Sequence, residues 1–188
     1  MSDKELAERI KKGDMVAFDE LVNLYAKKII NMSYSLLYDA EEAQDAAQEV
    51  FIKIYKNINS FRGESSVSTW IYRITRNVCC DILRKRKNTN VISLDFEDKE
   101  GHKNEPQDLS PTPSEVAEKN ERDEFLRKSI ASLDEVYKTV ITLYDIEGLS
   151  YEEIAEVMKC PVGTVKSRIY RARDALRKLL EKNPELFE

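Results

Sequence analysis

Apolar positions early in the chain fall at helical spacing. Phe18, Val22, Tyr25, Ile29, Met32 and Leu36 step by 4, 3, 4, 3 and 4 residues, which lines them along one face of a helix. A shorter helix over residues 3 to 12, ending at Gly13, is expected before it. After Asp39 the pattern restarts. Glu42 stands where the second half of a capping box belongs, and Ala43, Ala47, Val50 and Ile54 form the buried side. A third stripe, Val67, Ile71, Ile74, Val78 and Ile82, predicts a helix from about Ser65 to Lys87. Three amphipathic helices of this kind suffice for a small bundle.

The last third carries its own set. Helices are expected over about residues 114 to 131, 134 to 146, 151 to 158 and 162 to 182. Gly148 suits the left-handed position that ends the second of these. Ser150 and Glu153 have capping-box spacing, with Leu149 and Ile154 as the hydrophobic staple across it. The helix so started stops at Lys159-Cys160-Pro161, where Pro suits the first position of the next helix. Two helices joined by so short a turn, the second basic, form the pattern of a helix-turn-helix. Between the two parts lies NTNVISLDFEDKEGHKNEPQDLSPTP, residues 88 to 113, which has little apolar periodicity and reads as a linker. The expected fold is all-α: two small helical domains, residues 1–87 and 114–188, joined by a flexible acidic linker over 88–113.

Charge sharpens that division. The chain has 188 residues and a formal net charge of −5. Residues 1 to 87 hold 15 basic and 13 acidic groups, residues 88 to 121 hold 3 and 9, and residues 122 to 188 hold 12 and 13, so the acidity concentrates in the middle. No apolar run approaches the roughly 20 residues of a membrane helix, and MSDKELAERIKKGD has no signal-peptide core, so a cytoplasmic protein without membrane insertion is expected. Cys79, Cys80, Cys160 and His102 lack the local pairing of a zinc site, and one His far from any nucleophile argues against a catalytic triad.

The two basic helices carry the candidate chemistry. In the last one, Val165, Ile169, Ala172 and Leu176 share one side. The opposite arc holds Thr164, Ser167, Tyr170 and Arg171, flanked by Lys166, Arg168 and Arg173. Cations neutralise phosphates, an Arg pairs bidentately with guanine, and hydroxyls contact phosphate or base, so this mixture suits DNA. Basic stripes are commonly just solvated surface. Here, however, the excess begins at the helix start, where the macrodipole disfavours it. The third helix repeats the logic: Thr69, Arg73, Arg76, Cys80 and Arg84 step by 4, 3, 4 and 4 away from its apolar stripe. Before it, a polar loop offers Asn57, Asn59, Ser60, Phe61 and Arg62, with Trp70 beyond. Aromatic, Arg and amide groups beside a basic helix suit an unstacked base, while Phe61 and Trp70 suit a core equally well. The second helix is the opposite: residues 39 to 49 hold five acids and no base. Its outward face presents Asp45, Glu49, Ile52 and Lys56, a surface that repels DNA and suits a protein partner.

Together these stretches resemble the extracytoplasmic-function (group 4) class of sigma factors, the promoter-specificity subunits of bacterial RNA polymerase. The resemblance rests on DAEEAQDAAQEVFIKIYKN (39 to 57), FRGESSVSTWIYRITRNVCCDILRKRK (61 to 87), EGLSYEEIAEVM (147 to 158) and PVGTVKSRIYRAR (161 to 173). It implies that Asp45, Gln48, Glu49 and Ile52 dock on the clamp helices of the polymerase's largest subunit. It implies that the loop with Asn59, Ser60, Phe61, Arg62 and Ser65, and the helix with Thr69, Trp70, Arg73, Arg76 and Asn77, read and open the minus-ten element. Thr164, Lys166, Ser167, Arg168, Tyr170, Arg171 and Arg173 would read the minus-thirty-five element. It also implies an anti-sigma factor as regulator.

A length estimate tests the tether. The 26 linker residues reach about 85 Å fully extended, yet average only about 28 Å as a free coil. The two promoter elements lie about 50 Å apart, so the linker spans them only when something holds it extended. The expected function is a transcription initiation subunit that binds core polymerase and promoter DNA, with no cofactor, no metal and no active site. The alternative is a stand-alone helix-turn-helix regulator, which explains residues 149 to 178 but neither the second basic helix nor the acidic one. A nuclease lacks a carboxylate or His cluster in this sequence.

Overall fold

The structure, a computed structural model, describes residues 3–90 and 113–186. The expected linker falls mainly on residues 91–112, outside the described residues. The element order is α1 (Asp3–Lys11), α2 (Met15–Leu37), α3 (Ala40–Asn57), α4 (Val67–Asn90), α5 (Pro113–Ala131), α6 (Glu135–Ile141), α7 (Tyr151–Met158) and α8 (Val162–Leu180). All regular structure among the described residues is helical, as the periodicities predict.

In the first unit α2 packs along α3, and α4 closes the bundle against both. The core face of α2 is Leu21, Tyr25, Ile29, Met32 and Leu36. Phe18 and Val22, expected in that row, are only half-buried because the stripe drifts around the helix at 3.6 residues per turn. Asp14 caps α2 by accepting from the Ala17 amide at 3.1 Å, and Asp39 caps α3 by accepting from Glu42 N–H at 2.9 Å. The expected capping box at α3 is not closed, because the Glu42 carboxylate is taken by the Arg86 guanidinium through Nε and Nη2. A charge-assisted bidentate pair outcompetes one bond to a backbone amide. Arg86 also donates from Nη1 to the Leu37 carbonyl at 3.1 Å, satisfying an orphan acceptor at the end of α2. One side chain thus joins three helices.

In the second unit α6 runs into a wider π turn over Thr142–Ile146, marked by Glu147 N–H donating to the Thr142 carbonyl at 2.9 Å. Gly148 follows at φ +71°, a left-handed position that a side chain would strain. Both halves of the Ser150–Glu153 capping box are present, and Leu149 and Ile154 are both buried. α7 ends on Lys159 in the left-handed region. α8 starts at Val162, the expected bound, so that Pro161 is its N-cap rather than its first helical residue. The proline's fixed φ of −60° serves an extended cap as well as a first turn.

The two units touch. α7 packs on α4, while α5 and α6 pack on α2. Across this seam the Tyr72 hydroxyl donates to Glu147 Oε2 at 2.6 Å and the Tyr38 hydroxyl to Glu124 Oε1 at 2.6 Å. Lys138 Nζ reaches the carbonyls of Ala131 at 2.7 Å and Leu36 at 3.5 Å.

Replacing Ser150 by Ala removes the hydroxyl that accepts from Glu153 N–H at 3.2 Å and donates to Glu153 Oε2 at 2.9 Å, and keeps only the bond from the Ser150 backbone N–H to Glu153. It should cost about 1 kcal/mol in chemical denaturation, read as a lower midpoint at unchanged slope.

Candidate nucleic-acid and polymerase interfaces

The helix-turn-helix geometry begins with burial. Val165, Ile169 and Ala172 seat α8 against the α6 and α7 side of the unit, with Leu176 half-buried beyond them. That anchoring turns Lys166, Ser167, Tyr170 and Arg171 outward; Tyr170 is 76% exposed, the most of any large apolar side chain described. Thr164 is half-buried, and its carbonyl accepts from Ser167 Oγ at 2.9 Å. Arg168 lies lower on the flank, with Nη1 3.5 Å from Cys160 Sγ.

The cations of α8 fall into two sets. Lys166, Arg168 and Arg171, in the N-terminal half, make no ion pair among the described residues. In the C-terminal half, Arg177 and Lys178 contact Asp174 at 3.0 and 2.7 Å, and Arg173 is held by Asp145. Arg173 is exposed with the others, and Asp145 on the π turn takes its Nε and Nη2.

α4 is divided the same way. Arg73 and Arg76 make no ion pair among the described residues, whereas Arg84 pairs with Asp81 at 2.9 Å and Arg86 with Glu42. Arg76 Nε is buried without a hydrogen-bond partner, a guanidinium edge left to be satisfied. Asn77 is exposed next to it. Cys80, on the expected stripe, instead sits against Glu135 of α6; burial first, then that hydrogen bond, push its thiol up to about 12.

The loop before α4 corrects part of the sequence reading. Phe61, Thr69 and Trp70 are 4%, 2% and 5% exposed, so none of them offers a face to a base in this conformation. Phe61 and Trp70 pack on each other at 5.4 Å, Lys11 covers the Phe61 ring, and Thr69 is tied to Ser66 Oγ at 2.7 Å. Burying two large aromatic surfaces outweighs leaving them free for stacking, and fixes the loop's ends. Asn59, Ser60 and Arg62 remain exposed and Ser65 half-exposed, so the loop's polar groups are the ones presented.

On α3, Asp45, Gln48, Glu49 and Ile52 share an exposed face, with Ile52 53% exposed. Tyr55 continues it and packs edge-on against Phe18 at 5.2 Å. The seam residues Tyr72 and Glu147, and the stacked pair Tyr144 and Tyr151, escaped the sequence reading, since no local spacing announces them. No group of three or more His, Cys, Asp or Glu among the described residues is arranged to hold a metal ion. No helix of the described residues is long and apolar enough to cross a membrane.

Comparison with known proteins gives this geometry its class. Residues 21–89 match the family model for sigma-70 region 2, and residues 126–176 that for sigma-70 region 4. The RNA polymerase sigma-H factor of Pseudomonas aeruginosa is 43% identical over 183 residues, covering 95% of this chain and 94% of its own. The ECF RNA polymerase sigma factor SigW of Bacillus subtilis is 39% identical over 179 residues, covering 94% and 96%. Among solved structures, the sigma factor RpoE from Bartonella quintana, in complex with the anti-sigma factor NepR, superposes with a TM-score of 0.69 at 26% identity, covering 88% of this chain and 98% of that one. The chain belongs to the extracytoplasmic-function RNA polymerase sigma factors. It is a promoter-specificity subunit of bacterial RNA polymerase, and the reading as a stand-alone regulator gives way to that one.

Arg171→Ala should weaken promoter binding by the holoenzyme about ten-fold or more, while Arg177→Ala, removing a cation already paired with Asp174, should leave it within about two-fold. Equilibrium titrations of labelled promoter duplex measure both.

Proposed function

We propose that the chain docks on the clamp helices of core RNA polymerase through Asp45, Gln48, Glu49 and Ile52, and reads two promoter elements with two helices. α8 enters the major groove of the minus-thirty-five element with Thr164, Lys166, Ser167, Arg168, Tyr170, Arg171 and Arg173, in the manner of a recognition helix. The loop residues Asn59, Ser60, Arg62 and Ser65, with Arg73, Arg76 and Asn77 of α4, take the minus-ten strand. Phe61, Thr69 and Trp70 then act from beneath, by holding the loop. The observation that carries this reading is the ion-pair division: Arg73 and Arg76 of α4 and Lys166, Arg168 and Arg171 of α8 have no carboxylate partner among the described residues, whereas Arg84, Arg86, Arg173, Arg177 and Lys178 each have one. Phosphate then meets cations with no internal competitor.

The chain adds no catalytic group of its own and works in the cytoplasm, where polymerase and promoter are. The functional units are residues 1–87 and 114–188, with 88–113 as the tether, into whose first three residues α4 continues. An anti-sigma factor is its expected regulator, since the similar Bartonella quintana protein is found with one.

The seam bears on how the subunit is used. In the closed arrangement α7 covers α4 and Cys80 lies under α6, so part of the minus-ten face is occupied. Promoter binding on both elements requires the units to part. Burial raises the Glu147 carboxyl above its ordinary value, with Tyr72 and Lys28 opposing. A carboxyl raised in the closed form favours closure below that raised value, and closure weakens as pH rises through it.

Purified protein should direct promoter-specific transcripts only with core polymerase added, and Ile52→Asp should lower core affinity about ten-fold or more in a pull-down titration. If wild-type protein never binds core, the reading fails. For the seam, Tyr72→Phe strands the Glu147 carboxylate at a cost of about 1–3 kcal/mol and should enlarge the radius of gyration in X-ray scattering. Glu147→Gln keeps an acceptor for the hydroxyl and should stay compact.

A further inference from the structure

Beside the recognition helix, two tyrosines from outside it form a stack. The rings of Tyr144, on the π turn, and Tyr151, at the start of α7, lie nearly parallel at 9° with centroids 4.9 Å apart, and their hydroxyls are 3.1 Å apart. Each ring's inner face is occupied by the other. The remaining faces carry cations of α8: Lys166 Nζ lies 5.3 Å from the Tyr151 centroid, and the Arg173 guanidinium 5.1 Å from that of Tyr144. The order is cation, ring, ring, cation. Lys166 and Arg173 are seven residues apart, two turns along one side of α8 and about 10 Å along its axis.

We infer that Tyr144 and Tyr151 form a positioning platform that holds Lys166 and Arg173 in place for the phosphate backbone of the minus-thirty-five duplex. The inference rests on the reading of α8 as the helix that binds that duplex. An exposed Lys or Arg loses rotamer freedom when it meets a phosphate, and ordering it beforehand removes that cost from binding. A ring face does this without consuming a donor, because the attraction is to the cation's charge rather than to an N–H. Lys166 keeps its three donors. Asp145 engages Arg173 only through Nε and Nη2, so Nη1 stays available to a phosphate oxygen. Asp145 alone would hold Arg173, but nothing among its contacts would hold Lys166, which has no carboxylate partner among the described residues and rests on Tyr151.

The test uses holoenzyme and a promoter duplex titrated at a series of salt concentrations. Tyr144→Leu and Tyr151→Leu keep apolar bulk and remove the ring face. Tyr151→Leu should weaken binding several-fold and lower the salt slope by about one, because an unheld Lys166 no longer settles on its phosphate, while Tyr144→Leu, with Asp145 still holding Arg173, should do less. Tyr144→Phe and Tyr151→Phe keep the ring and lose only the hydroxyl contact, and should recover most of the loss. A structural role alone would lower the unfolding midpoint of the Leu variants and leave the salt slope unchanged, and that result overturns the platform. Arg171→Ala, run in parallel, separates the two ideas. If it weakens binding while the Leu variants keep the wild-type slope, the platform is wrong and the reading of α8 stands; if it has no effect, the reading falls and the platform with it.

Discussion

An acidic chain that binds DNA must keep its own carboxylates away from the cations meant for phosphate. With 35 acidic and 30 basic residues, carboxylates are numerous enough to compete with phosphate for its cations. The fold answers this by position. On α8 the acids Asp174, Glu181 and Asp145 gather around Arg173, Arg177 and Lys178, and none contacts Lys166, Arg168 or Arg171. On α4, Asp81 and Glu42 engage Arg84 and Arg86 and leave Arg73 and Arg76. The acids of α3 sit on a separate face, where they oppose DNA and suit a protein.

Local devices hold the sorted groups in place. Ser150 and Glu153 start α7, Lys159 ends it in the left-handed region, and Pro161 opens α8 in an extended cap. With Val165 and Ile169 buried, the outward direction of Lys166, Ser167, Tyr170 and Arg171 follows from helix geometry. In the first unit, the Phe61–Trp70 contact and the Ser66–Thr69 hydroxyl pair set the loop that precedes Arg73. Arg86, bonded to Glu42 and to the Leu37 carbonyl, fixes the far end of α4. Stability is thus vested in the paired ends of both helices, and recognition in their free beginnings.

Most helices could be read within a few residues because their apolar stripes and caps are local. Ser150 and Glu153 are three residues apart, and both halves of their box formed. The features that escaped depend on residues distant in sequence. Tyr72 meets Glu147 across 75 positions, and Glu42 leaves its expected capping role for Arg86, 44 positions away. Neither partnership leaves a periodic trace. Phe61 and Trp70 were ambiguous for another reason: an aromatic side chain suits a core and a base stack equally, and only packing decides. The outward residues of α8 and α3 could be anticipated because a helix with one buried stripe has one opposite face.

The central claim is that the unpaired cations Arg73 and Arg76 of α4 and Lys166, Arg168 and Arg171 of α8, joined by Arg173 through its free Nη1, meet promoter DNA, and that Arg84, Arg86, Arg177 and Lys178 do not. Photo-crosslinking amino acids placed singly at Arg73, Arg84, Arg171 and Arg177 in the complete initiation complex test it directly. The account predicts crosslinks from position 73 to the minus-ten element and from position 171 to the minus-thirty-five element, with little from 84 or 177. Equal crosslinking from the paired positions would contradict it.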